Sequence, residues 1–146
     1  MAEASRKRIV VGMDGSEESI HALRMAARLA GLLGCRIEAL IVWEYPAMLA
    51  TPFPTTEFSP RVEAEQALAE AVDAAFEGTG IPEGLTQEAV AGQPARVLME
   101  ASRGAEMLVV GNRGRGGFAG LLLGSVSTAL ASHAYCPVLI ARPYRD

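Results

Sequence analysis

Short runs of apolar, β-branched residues alternate along this chain with stretches of helical periodicity. That alternation limits the fold more than any other feature, because each period demands its own kind of element. Arg8 to Met13, "RIVVGM", reads as a short buried strand. Asp14-Gly15 makes a turn. Ser16 caps a helix with Glu17 and Glu18 in its first turn, where the helix dipole favours acids. Ile20, Leu23, Ala27, Ala30 and Leu33 share one face of that helix, and Gly34 ends it. Arg36 to Trp43 is a second strand, and residues 44 to 59, with three prolines, read as a loop. Pro60 opens a second helix, with Val62, Leu68, Val72 and Phe76 inward and Glu63, Glu65, Glu70 and Asp73 outward. Leu85 to Val90 is a third strand, less apolar and nearer an edge. Pro94 starts a third helix through Val97, Leu98 and Ala101. Met107 to Gly111 is the fourth strand, Ser125 to Ser132 a fourth helix, and Pro137 to Arg142 the last strand.

Such alternation builds an α/β fold, a parallel sheet covered by helices on both faces. No repeat, linker or second domain is visible, so residues 1–146 are expected to form one domain. Ligands of an open parallel sheet sit beyond the carboxyl ends of its strands, where the strand order reverses. The loops after the first and fourth strands are therefore the places to search.

The net charge of -4 offers no basic patch for a polyanion, so no nucleic-acid partner is expected. Cys35 and Cys136 lie far apart, with no CxxC spacing, and read as reduced thiols. No signal peptide is seen, and no window approaches the roughly 18 apolar residues of a membrane span. A cytoplasmic chain with no membrane partner is the expectation.

Six glycines crowd residues 111 to 125, "GNRGRGGFAGLLLGS", straight after the fourth strand. A P-loop needs a lysine beside its phosphates. The one lysine, Lys7, precedes the first strand and excludes that design. "GRGGFA" matches the dinucleotide fingerprint, which also needs an acid about 20 positions on to hold a ribose. After Glu106 the next acid is Asp146, the final residue, so the match is accidental. A flavodoxin-type flavin loop would be rich in Ser and Thr after the first strand, and "GMDGSEES" fits it poorly.

What remains is the spacing. Gly111 and Gly114 stand three apart at the strand's end, and Gly124-Ser125 opens a helix whose free N–H groups suit a phosphate. On this reading Gly111 and Gly114 let an anion approach the backbone, Ser125 and Ser127 add hydroxyl donors, and Arg113 and Arg115 add charge. A plain surface loop with a glycine cap is the other reading of the same residues.

This pattern, Gly-x2-Gly-x9-Gly-Ser, resembles the nucleotide-binding signature of the universal stress proteins. "IVVGMDGS", "GQPARVLMEASRGAEMLVVGNRG" and "GSVSTALASHAYCPVLIAR" are similar to other parts of that family, so the resemblance covers nearly the whole chain. It implies a flavodoxin-like or Rossmann-like three-layer domain, with an open parallel five-stranded sheet of order 3-2-1-4-5. It implies a homodimer and a site for ATP, with AMP or ADP as alternatives. Residue by residue, it places Gly12, Met13 and Asp14 along one edge of the nucleotide, with Asp14 near a magnesium or manganese ion carried on the phosphates. Val42 meets adenine through its backbone. Val110, Gly111, Arg113, Gly114, Gly124, Ser125, Val126 and Ser127 surround the ribose and phosphates.

In that strand order "PVLIAR" lies at an edge and is apolar on both faces, an aggregation hazard unless covered. Two copies pairing Pro137 to Arg142 about a two-fold axis would cover both edges. Asp14 also has a reading as a turn residue that bonds its own backbone. His21 and His133 read as surface or capping residues, Trp43 as packing at the sheet edge, and Cys136 as buried and inert. No catalytic base stands out beside the glycine loop, so the expected function is regulatory, by nucleotide occupancy, with slow or no hydrolysis. The alternatives are a nucleotide-hydrolysing or adenylating enzyme, whose His-x-Gly-His and Ser-Gly-Gly-x-Asp-Ser motifs are absent, and a dimerisation module with an empty site.

Overall fold

The first helix begins where its cap places it. The Ser16 Oγ accepts the Ser19 N–H at 3.2 Å, and α1 (Glu17–Leu33) follows. It stops at Gly34, whose φ of 70° is the left-handed conformation that glycine adopts without strain. A computed structural model describes residues 7–44, 59–113 and 124–144. Most of the loop expected at 44 to 59, together with Gly114 and Arg115, lies outside the described residues.

The remaining elements are β1 (Arg8–Met13), β2 (Arg36–Trp43), α2 (Pro60–Ala75), β3 (Thr86–Ala91), α3 (Pro94–Ala101), β4 (Met107–Gly111), α4 (Ser125–His133) and β5 (Val138–Ala141). β3 starts and ends one residue later than the sequence reading, and β5 is shorter by a residue at each end. The five strands form one parallel sheet of order β3-β2-β1-β4-β5. After β1 the chain adds β2 and β3 on one side, then crosses back to add β4 and β5 on the other. The order therefore reverses between β1 and β4, and the carboxyl ends of these strands flank the crevice.

Strand residues alternate between two cores. Ile9, Val11, Met13, Ile37, Ala39, Ile41 and Val109 face α1 and α2. Val10, Leu40, Leu108 and Val110 face α3 and α4, which contribute Leu98 and Leu130. The helix faces differ from the reading of large apolar residues. Leu33 is 53% exposed and Val62 49% exposed, while Ala22, Ala26, Ala64, Ala71 and Ala75 are buried. Alanines bring these helices close to the sheet, and a search for large side chains passes over them. α2 has no basic residue in its last turn, so Arg24 of α1 reaches across and donates to the carbonyls of Ala74 and Ala75 at 3.1 Å each.

Gly111 fixes how α1 meets β4. A Cβ built there would stand 2.9 Å from the Glu18 Cβ and 3.0 Å from the Glu18 carbonyl carbon and oxygen. Backbone cannot rotate aside as a side-chain end can, so only glycine fits. The sequence reading assigns Gly111 to anion approach; in the structure its missing side chain also makes room for a helix. Gly111→Ala is expected to lower stability by about 1–3 kcal/mol, the usual range for overpacking. Gly31, exposed on α1 with nothing within 4 Å of its would-be Cβ, is expected to gain roughly 1 kcal/mol as alanine. Urea denaturation of the two variants checks both signs; equal stabilities would contradict the packing account.

Candidate functional site

The end of β4 is tied to the start of α4 by two hydrogen bonds. Ser127, 4% exposed, donates its Oγ–H to the Gly111 carbonyl at 2.7 Å. The Gly124 N–H donates to the Asn112 carbonyl at 2.8 Å, and the Asn112 N–H donates to the Ala141 carbonyl at 2.9 Å. Gly124, at φ -73° and ψ 167°, then caps α4 without a side chain of its own. The first-turn amides of α4 have no partner inside the helix, and they carry the positive end of its dipole.

At this place lies a cavity of about 230 Å³. Gly12, Met13, Asp14, Val42, Val110, Gly111, Arg113, Gly124, Ser125, Val126 and Ser127 all line it, so the structure gathers every site residue expected from the sequence except Gly114, which lies outside the described residues. Sequence reasoning missed Ser19, Pro94 and Leu98 in the lining. Leu98, which the sequence places in the third helix, belongs both to the core and to the lining. Pro94 carried a usable signal, since a helix that opens after β3 starts at the same carboxyl edge.

The cavity has two unlike ends. Across β1 toward β2, its wall is Val42, Pro94 and Leu98. Toward β4 and α4, it is Gly111, Arg113, Gly124, Ser125 and Ser127. Among the described residues, Asp14 and Arg113 are the charged ones in its lining. One Asp14 carboxylate oxygen accepts the Ser16 N–H at 2.9 Å and also the Ser16 hydroxyl. Asp14 thus has the turn role and also borders the cavity. The hydroxyls differ from expectation. Ser127 spends its proton on Gly111, Thr128 donates to the Gly124 carbonyl at 2.9 Å, and Ser19 donates to the Ser16 carbonyl at 2.9 Å. Ser127 therefore positions α4 instead of donating into the cavity. The exposed Ser125 hydroxyl has no hydrogen bond among the described residues, and it keeps its donor.

Among the described residues no group of three or more His, Cys, Asp or Glu side chains could hold a metal ion. Asp14 alone is no binding site for a metal; an ion could meet it only if other groups carried it there. His21 is half-buried, not a surface or capping residue: its ring packs edge-on to Tyr144 at 6.3 Å, with Nε2 buried and without a partner. His133 lies in the last turn of α4, exposed. Trp43 packs against the α1–α2 core. Cys35 and Cys136 are free thiols, each half-buried. Burial pushes both up from the ordinary thiol value, with Glu106 adding to the rise at Cys35 and Arg8 opposing it at Cys136.

The profile of the universal stress protein family matches residues 5–142. The chain belongs to that family. A universal stress protein of Mycobacterium tuberculosis H37Rv is 37% identical over 140 residues, covering 92% of this chain and 44% of its own length. The chain thus spans less than half of that curated relative. A universal stress protein solved in complex with cAMP is 30% identical with a TM-score of 0.65, over 92% of this chain and 95% of the other. The UspA structure of Lactobacillus plantarum, 20% identical, shares the fold with a TM-score of 0.76, over 94% of this chain and 99% of its own.

Ser127→Ala is expected to cost about 1–3 kcal/mol, because it leaves the Gly111 carbonyl unpaired. Ser125→Ala, on an exposed hydroxyl, should change stability by less than about 0.5 kcal/mol. Thermal or urea unfolding of the pair measures this; a Ser127 variant as stable as wild type would remove it as the fastener of α4.

Proposed function

We propose that this universal stress protein binds an adenine nucleotide, ATP in the first instance with ADP or AMP as alternatives, in the cavity between β1, β4 and α4. It acts as a regulatory protein whose state follows nucleotide occupancy. The carrying observation is the cavity itself. It sits at the reversal of strand order, with an apolar wall of Val42, Pro94 and Leu98 at one end and a helix N-terminus at the other. Those ends suit a planar base and a phosphate chain respectively. The 30%-identical relative was solved in complex with cAMP, which supports an adenine nucleotide as the ligand.

On this reading Gly12 and Met13 border the ribose edge, Val42 the base, and Gly124, Ser125 and Val126 the phosphates, with Arg113 and Gly114 beside them. Magnesium or manganese would arrive on the phosphates, and Asp14 would meet it through water, since magnesium keeps several of its own. Among the described residues the cavity lining has no lysine and no histidine, and hydrolysis is expected to be slow. Residues 1–146 act as one domain. Two copies are expected to pair along β5, whose Val138, Leu139 and Ile140 are half-buried at the sheet edge. A cytoplasmic location fits this reading, and among the described residues no helix is long and apolar enough to cross a membrane.

Gly124→Val puts a side chain at the buried helix start and is expected to reduce ATP affinity at least about a hundredfold, as an occluded phosphate subsite should. Calorimetry with ATP and magnesium, beside a melting curve showing the variant folded, checks this; wild-type affinity in the variant would move the site elsewhere. For the dimer, Ile140→Asp is expected to shift light scattering from twice the chain mass to one, or to give insoluble protein. A wild-type monomer at micromolar concentration would refute the β5 seam.

A further inference from the structure

The wall of the cavity beneath β1 is shaped by a residue outside the glycine signature. Gly12 carries no side chain. A Cβ built there would stand 2.8 Å from Leu98 Cδ1, 3.2 Å from Leu98 Cδ2 and 3.0 Å from Val110 Cγ1. Leu98 therefore fills the room that a side chain at position 12 would take. It is 5% exposed and packed in the core of Val10, Leu40, Val110 and Leu130, yet it also lines the cavity. A leucine held on its inner side by a close-packed core cannot swing away to admit a larger group. Beside it stand Val42 at the end of β2 and Pro94 in the first turn of α3, both apolar. The polar lining comes from elsewhere: the turn after β1, α1, the end of β4 and the start of α4.

We propose that Leu98 is a specificity-determining residue of this site: its isobutyl group closes the apolar end and restricts it to a flat, unsubstituted purine ring. The inference rests on the adenine-nucleotide reading above. It adds to that reading a limit on ring size, set by a side chain that the binding signature does not contain. A methylene in an apolar pocket changes discrimination by about 10–200-fold, so one leucine suffices to exclude a benzyl-sized substituent. Gly12 belongs to the same device, because its bare backbone is what lets Leu98 lie so close to the sheet.

The test titrates wild type, Leu98→Ala and the milder Leu98→Val by calorimetry. The probes are AMP and three enlarged analogues: N6-benzyl-AMP, 2-phenylamino-AMP and 8-benzylamino-AMP. Wild type is expected to bind AMP and to reject at least one of the three analogues, the one whose substituent faces Leu98, by about tenfold or more. Leu98→Ala is expected to bind at least one analogue about tenfold more tightly than wild type does, while losing some affinity for AMP. Such a gain is something a purely structural leucine would not produce. If Leu98→Ala does not fold, Leu98→Val carries the test, with a several-fold gain for one analogue expected. A variant that loses AMP and gains no analogue overturns the assignment, as does a wild type that binds all three enlarged analogues as tightly as AMP. A wild type that binds neither AMP nor ATP is a different failure: it removes the nucleotide reading, and the assignment falls with it.

Discussion

The end of β4 is gripped from both faces of the sheet, and the candidate site depends on that grip. On one face, the backbone of Glu18 in the first turn of α1 lies where a Gly111 side chain would be. On the other, Ser127 of α4 donates to the Gly111 carbonyl. One glycine thus serves two helices: its missing Cβ admits α1, and its carbonyl anchors α4. The bond from Asn112 to Ala141 adds β5 to the same junction. The N-terminus of α4 is held beside the reversal of strand order, where free amides and an open crevice coincide.

The rest of the cavity follows from the pleat. Even-numbered residues of the central strands face α3 and α4, so Gly12, Val42 and Val110 come to one surface. The room that a side chain at Gly12 would take is filled by Leu98, which lines that surface. Charge is sparse, with Asp14 on the β1 side and Arg113 on the β4 side. On the proposed reading such a cavity selects by shape at one end and by backbone amides at the other, and its output is occupancy.

Much of this was legible in the sequence because it depends on local rules. The Ser16 cap, the Gly34 stop, Pro60 and Pro94 at helix starts, and the bounds of β1, β2 and β4 follow from short-range chemistry. The spacing of Gly111, Gly124 and Ser125 pointed to the crevice in which the cavity lies. What could not be read depends on partners distant in the chain. That Gly111 spares room for a helix depends on Glu18, and whether Ser127 offers or spends its proton is decided by a carbonyl 16 residues away. Ala22, Ala64 and Ala71 carry the helix–sheet contacts while Leu33 and Val62 face water, because close approach selects small residues. Leu98 is legible in the sequence as a residue of the third helix; its place in the core and over Gly12, where it lines the cavity, depends on the fold.

The central claim is that the junction of β1, β4 and α4 is where an adenine nucleotide sits. Amide NMR during a titration with ATP and magnesium tests it most directly. The account predicts that the amides of Gly12, Asp14, Val42, Gly111, Gly124, Ser125 and Val126 shift with one shared saturation curve, while those of Leu32 and Ile81, exposed and outside the cavity lining, stay in place. Shifts that leave Gly124, Ser125 and Val126 unmoved, or a spectrum unchanged at millimolar nucleotide, would contradict it.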